Sequence, residues 1–144
     1  MKNLWPDAFE ENDKPTAKSA LEEQAKLLPK ITNGIVFAEI VEMSDLDATS
    51  HSMINDFSFR FNILGKFLEG YRFRVLSFSH DITLYPVKFL IDSGIGSEIG
   101  IKPDIIMKHT TVVNDPTELE NLLTSILSSQ RIKDIVGSIL RLSK

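Results

Sequence analysis

The chain has 144 residues, of which 42% are hydrophobic and 25% charged, with a formal net charge of −4. This composition is typical of one globular domain, so residues 1–144 are interpreted as a single domain. The absence of cysteine excludes disulfides, thiolate zinc sites and cysteine nucleophiles. The acidic balance disfavours nucleic-acid binding, which usually needs a basic domain.

No apolar run approaches the roughly 18 residues that predict a membrane-spanning helix. The polar, acidic start of the chain is not typical of a secretory signal. We therefore expect a cytoplasmic protein with no membrane partner.

The first predicted elements are a loose arm, a helix and a strand. Residues 1–12 are polar and form the arm, while Pro15 is a start signal for a helix whose end is marked by Pro29. Residues 35–43 are apolar at both odd and even positions except for Glu39 and Glu42, which predicts a strand more buried than the others, either central in its sheet or covered by helices on both faces. Residues 44–55 are polar without periodicity and predict a long loop.

Clean period-two alternation then predicts three antiparallel strands, at residues 56–64, 71–79 and 82–91. Pro86 lies inside the last of these and predicts an edge strand or a bulge, because proline lacks the N–H that a sheet ladder uses. A fifth strand is predicted at residues 105–113.

The C-terminal third predicts a loop and two helices. Residues 92–104 are rich in glycine and predict a flexible connection. Asp115 and Pro116 are typical of a helix start. The two apolar stripes that follow are half a turn out of phase, which favours two helices separated at residues 128–129. Segregated strands and helices predict an α+β fold with a mainly antiparallel sheet of four or five strands.

The alternation divides the predicted sheet into an aromatic face and a cationic face. Each face is formed by every second residue of the strands, and such a set of alternate residues is called a parity. The cationic parity carries four basic residues: Arg60, Arg72, Arg74 and Lys88. Arginine forks bind carboxylate and phosphate bidentately, so this face is the leading candidate for binding an acidic ligand or partner. The competing interpretation is that Glu39 and Glu42, on the first strand, neutralise it.

His80 and Asp81, at the tip of a predicted hairpin, are the remaining candidates, as a general base with an acidic neighbour. Adjacent residues on a turn rarely hold each other in catalytic geometry, and turn formation by the aspartate is the simpler interpretation.

The spacing GxGxxxG at residues 94–100 lacks a following helix pattern and does not predict a phosphate-binding loop.

No cofactor and no metal site is predicted. The histidines His51, His80 and His109 lack the spacing of metal ligands. Asp45 and Asp47 lie in a segment without the glycine and terminal glutamate of a calcium loop.

We therefore expect a non-enzymatic accessory protein, of the antitoxin or immunity type, that binds another protein. The alternative is a small-molecule or nucleotide-binding protein, with enzymatic activity left open, that uses a cleft beside the cationic face. RNA binding is disfavoured because aromatic and basic residues fall on opposite parities. A homodimer that covers the exposed aromatic parity is a further alternative.

Overall fold

The computed structural model describes residues 1–44, 55 and 57–144. Its elements, in chain order, are α1 (Ala17–Ile31), β1 (Val36–Glu42), β2 (Phe57–Gly65), β3 (Phe73–His80), β4 (Val87–Ile91), α2 (Ser93–Glu98), β5 (His109–Val113), α3 (Pro116–Leu127) and α4 (Gln130–Leu142). The predicted α+β fold is confirmed. Residues 1–15 are exposed and carry no helix or strand.

The five strands form one antiparallel sheet in the order β1-β2-β3-β4-β5. The aromatic parity stacks across its centre, since Phe59 lies opposite Phe78 and Phe78 lies opposite Phe89. The ring centroids of these neighbours are 5.2 and 5.9 Å apart. All three rings are buried, so this parity forms the core side of the sheet.

The helices cover that same side, which we call the helix-covered face. Leu21 of α1, Ile126 of α3 and Ile139 of α4 are buried in one cluster with the aromatic parity. The opposite side carries Arg60 and is called the basic face. No helix in the described part of the chain contributes buried residues to the basic face.

Two strand predictions are wrong in position. β1 is an edge strand rather than a central one. Its apolar residues occur on both parities because Val36 packs into the core while Val41 is exposed on the basic face. β4 is not an edge strand, since it lies between β3 and β5, and it begins at Val87. Pro86 therefore precedes the strand and does not interrupt its ladder.

The helix ends follow side-chain capping. Asp115 Oδ1 accepts from the Glu118 backbone N–H at 2.8 Å, and Ser129 Oγ accepts from Ile132 at 3.3 Å, so the predicted break between the last two helices is confirmed. α1 begins after Thr16 and continues two residues past Pro29.

The extension of α1 is stabilised by the turn that follows it. The backbone N–H of Gly34 donates to the carbonyl of Pro29 at 2.8 Å, and the hydroxyl of Thr32 donates to the carbonyl of Leu28 at 2.9 Å. Gly34 has φ +75°, a conformation that favours glycine. The unpaired carbonyls at the helix end are thereby satisfied.

The glycine-rich segment is not a flexible loop along its whole length, because it contains α2. The Asp92 side chain accepts from the backbone N–H of Ile95 at 3.1 Å and caps this short helix. Gly96 lies against the His109 ring, and a Cβ at this position would come within 2.6 Å of it. Glycine here permits close packing rather than motion.

The fifth strand is shorter than predicted. Asp104 Oδ1 accepts from the backbone N–H groups of Ile106 and Lys108 at 3.0 and 2.8 Å, which holds residues 104–108 in a turn before β5. The predicted loop at residues 44–55 and the start of the strand at 56 lie mostly outside the described residues. No helix in the described ranges is both long and apolar enough to span a bilayer.

Candidate functional site

The sheet register gathers the predicted cations on the basic face. Arg60 lies opposite Ser77 and Arg74 lies opposite Asn62, two residues further along β2. Lys88 lies opposite Ser79, on the next strand pair. Arg60 and Arg74 are therefore close in the register, with a register shift between Phe61 and Asn62 separating their strand pairs.

Glu39 neutralises the fourth cation. Its Oε2 atom accepts from Arg72 Nε at 2.8 Å and from Asn62 Nδ2 at 3.0 Å. Glu42 lies opposite Phe59 and so has the parity of the helix-covered face. The expectation that Glu42 sits opposite the cations is therefore wrong, because Glu42 lies three positions after Glu39 and so points to the other face of the strand.

The centre of the basic face holds two buried polar atoms without a hydrogen-bond partner. They are Arg60 Nε and Ser77 Oγ, whose residues lie directly opposite each other in the register. Ser77 is 0% exposed. A buried polar group left unpaired costs about 1–3 kcal/mol, so this pair is an unfavourable feature of the folded sheet.

Small polar side chains line the floor of this face. Ser58 and Ser79 are buried opposite each other, and the amide of Asn55 donates to Ser79 Oγ at 2.8 Å. Longer side chains, including the partly exposed Arg60 and Lys88, stand on either side of the serines. Alternation alone does not predict the position of Ser77 and Ser79, because they lie an odd number of positions from Arg74 along β3. The register shift between Phe61 and Asn62 brings them to the same face as Arg74.

His80 and Asp81 are not part of the basic face. His80 is 6% exposed on the helix-covered face, where its ring stacks on Phe57 with centroids 5.4 Å apart. Its Nδ1 donates to the main-chain carbonyl of Asp81 at 2.7 Å. This contact uses the backbone of Asp81 and orients the ring, as expected of a structural histidine.

A second polar cluster lies at one end of the sheet. A cavity of about 380 Å³ is lined by Arg74, Leu90, Lys108 and His109, among others. His109 is buried, with Nε2 at 3.2 Å from Ser97 Oγ and Nδ1 without a hydrogen-bond partner. Sequence reasoning missed this cavity because its residues come from strands that only the register brings together.

Within the described ranges, no three histidine, aspartate or glutamate side chains lie close enough to hold a metal ion. The predictions for Asp45, Asp47 and His51 fall outside the described residues. Comparison with protein-family models, with curated proteins and with solved structures finds no match for the chain.

Proposed function

We propose that this chain is a non-enzymatic interaction domain, an accessory protein of the antitoxin or immunity type, which binds an acidic segment of another protein on the basic face. The observation that carries the proposal is the unpartnered pair of Arg60 Nε and Ser77 Oγ at the centre of that face. Arg60 is partly exposed, and its guanidinium carries donors that a carboxylate accepts.

The charges of the face favour an acidic partner. Arg60, Arg74 and Lys88 share the face, while Glu39, the acidic residue of this parity in the described strands, is held by Arg72. The described strands therefore carry three basic residues on this side besides the Arg72–Glu39 pair, in a chain whose net charge is −4.

The spacing of the cations favours an extended partner. Alternate side chains of an extended segment are about 7 Å apart, because a strand rises about 3.3 Å per residue. Diagonal neighbours on adjacent strands of a regular ladder have a similar spacing, about 7–8 Å. An extended peptide with an acid at every second position could therefore engage both arginines.

The test is a titration of a fluorescein-labelled ten-residue peptide of alternating glutamate and threonine, followed by anisotropy at 50 and 200 mM salt. The matched peptide of lysine and threonine is the control ligand. We expect the glutamate peptide to bind, and Arg60→Gln to raise its Kd by about tenfold or more, the loss typical of a charge-assisted hydrogen bond.

Lys133→Gln is the matched control variant, because Lys133 is exposed on α4 and its loss changes the net charge by the same amount. Equal weakening by Arg60→Gln and Lys133→Gln would show that only net charge matters and would contradict the proposal. Absence of binding by the glutamate peptide at low salt would contradict it as well.

Ser77→Ala separates binding from folding. The substitution removes a buried hydroxyl that has no described hydrogen-bond partner, so the free energy of unfolding should stay constant or rise. Peptide affinity should fall, because the hydroxyl is lost from the centre of the face. Unchanged affinity would remove Ser77 from the site.

The second candidate function is the binding of a small anionic molecule, favoured by the cavity that is lined by Arg74, Lys108 and His109. Thermal-shift measurements with nucleotides and dicarboxylates test it. A stabilisation lost in Lys108→Ala but kept in Lys133→Ala would support this function, and no stabilisation by any ligand would count against it.

A further inference from the structure

A groove of about 600 Å³ runs between α1 and α3 on the helical side of the domain, away from the basic face. Its lining includes Ala20 from α1 and three leucines from α3: Leu119, Leu123 and Leu127. Leu119 and Leu123 are buried, so the floor is apolar and belongs to the core. Its residues all lie in the described ranges.

An exposed apolar stripe on α1 continues this groove. Leu27 and Ile31 follow Ala20 by seven and eleven residues, which is about two and three helical turns, so all three lie along one side of the helix. Leu27 is 47% exposed and Ile31 is 78% exposed. Leu21, about 100° further around the helix than Ala20, is fully buried. The groove and the stripe therefore form one elongated apolar surface.

Carboxylates stand on both walls of the groove, Glu23 on α1 and Glu120 on α3. No hydrogen bond or ion pair joins either carboxylate to another described residue, and no lysine or arginine lines the groove. An apolar floor between two acidic walls complements a segment with one apolar face and cationic flanks. Such segments bind grooves as amphipathic helices.

From this geometry we infer that the α1–α3 groove, with its continuation at Leu27 and Ile31, is a second binding surface, for a cationic amphipathic helix of a partner protein. The occupant is not the chain's own N-terminal arm, although the arm ends at Pro15 beside the groove. Residues 1–14 carry four acidic and two basic residues, so the acidic walls repel them.

The test uses a labelled 14-residue peptide with leucines at positions i, i+3, i+4 and i+7 and lysines elsewhere, followed by anisotropy. The same peptide with glutamate in place of lysine is the control ligand. We expect the lysine peptide to bind and the glutamate peptide to bind at least about tenfold more weakly, because two acidic walls attract one and repel the other.

The variants separate the groove from the overall negative charge of the chain. Glu23→Lys should weaken the lysine peptide by about tenfold, whereas Glu22→Lys, with the same change of net charge, should leave it within about twofold, because Glu22 lies on the other side of α1 and does not line the groove. Leu27→Ser, at an exposed position, should weaken binding without loss of fold, as judged by circular dichroism.

Equal effects of Glu23→Lys and Glu22→Lys would overturn the inference, as would tight binding of the glutamate peptide. Light scattering at two protein concentrations gives a further check. A dimer that is lost in Leu27→Ser would show that a second copy occupies the surface and would overturn the assignment of a cationic partner. Arg60→Gln should leave binding of the lysine peptide unchanged, which keeps this inference separate from the proposed function.

Discussion

Replacing Gly65 by alanine should destabilise the fold by overpacking, because the added Cβ would lie 2.6 Å from Ile139 Cγ2. Carbon atoms in contact are normally about 3.5–4.0 Å apart, so the atoms must separate by about 1 Å. Ile139 is buried and β-branched, and its methyl cannot swing aside. Overpacking of this kind costs about 1–3 kcal/mol. In a domain of this size the Tm should fall by about 2–4 °C for each kcal/mol.

Urea denaturation followed by circular dichroism measures this effect, with Gly137→Ala as the matched control. Nothing lies within 4 Å of a Cβ at Gly137, in the middle of α4, so the same chemical change should stabilise the fold there by about 0.5–1 kcal/mol.

A double-mutant cycle identifies the cause of the destabilisation. Ile139→Ala removes the opposing methyl, so Gly65→Ala should cost little in that background. Strict additivity of Gly65→Ala and Ile139→Ala, or a Gly65→Ala variant as stable as the parent, would refute the contact between α4 and β2.

Glu39→Gln breaks the ion pair with Arg72, whose two side chains are 28% (Glu39) and 55% (Arg72) exposed. The loss in the free energy of unfolding, measured in urea, should therefore stay below about 1 kcal/mol. The glutamate peptide should bind this variant more tightly. Asp115→Ala should cost about 1 kcal/mol by removing the cap of α3, and Asp115→Asn should cost much less, as measured by thermal denaturation. The pKa of Tyr85 is raised above 10.0, first by burial and then by Asp115, and its hydroxyl donates to the Pro15 carbonyl at 2.6 Å. Because the folded state favours the neutral phenol, the contribution of Tyr85 to the free energy of unfolding is complete below about pH 10 and is lost as pH rises through the folded pKa. Tyr85→Phe should therefore reduce the loss of stability that urea titrations measure between about pH 9 and 11.

The sequence predicted the sheet well because alternation is a local signal. Phe59 and Phe61 follow the pattern that strand geometry imposes, and their register partners share it. The order of the strands in the sheet could not be predicted in the same way. Apolar residues at both odd and even positions occur in a central strand and also in an edge strand with a partly exposed side. β1 is such an edge, with Val41 exposed on it. The short helix α2 was missed because Gly94 and Gly96 masked the capping signal of Asp92.

The candidate site was predicted in part. Parity alone placed Arg60, Arg74 and Lys88 on one face, since alternate residues of a strand point the same way. Which carboxylate pairs with which cation depends on the register of the strands, and only the structure shows that Glu39 forms an ion pair with Arg72. The α1–α3 groove could not be predicted, because its walls come from helices about 100 residues apart in the chain.

Net charge conceals the arrangement that matters for binding. The value of −4 suggests a uniformly acidic surface, yet the basic face and the acidic groove lie on opposite sides of the sheet. Surfaces of opposite charge on one molecule invite head-to-tail association when their shapes fit. Here the groove requires an inserted apolar ridge, whereas the basic face offers Arg60 and Lys88 around buried serines. The shapes of the two surfaces therefore do not complement each other, which favours the proposal of two different partners over head-to-tail association of this chain.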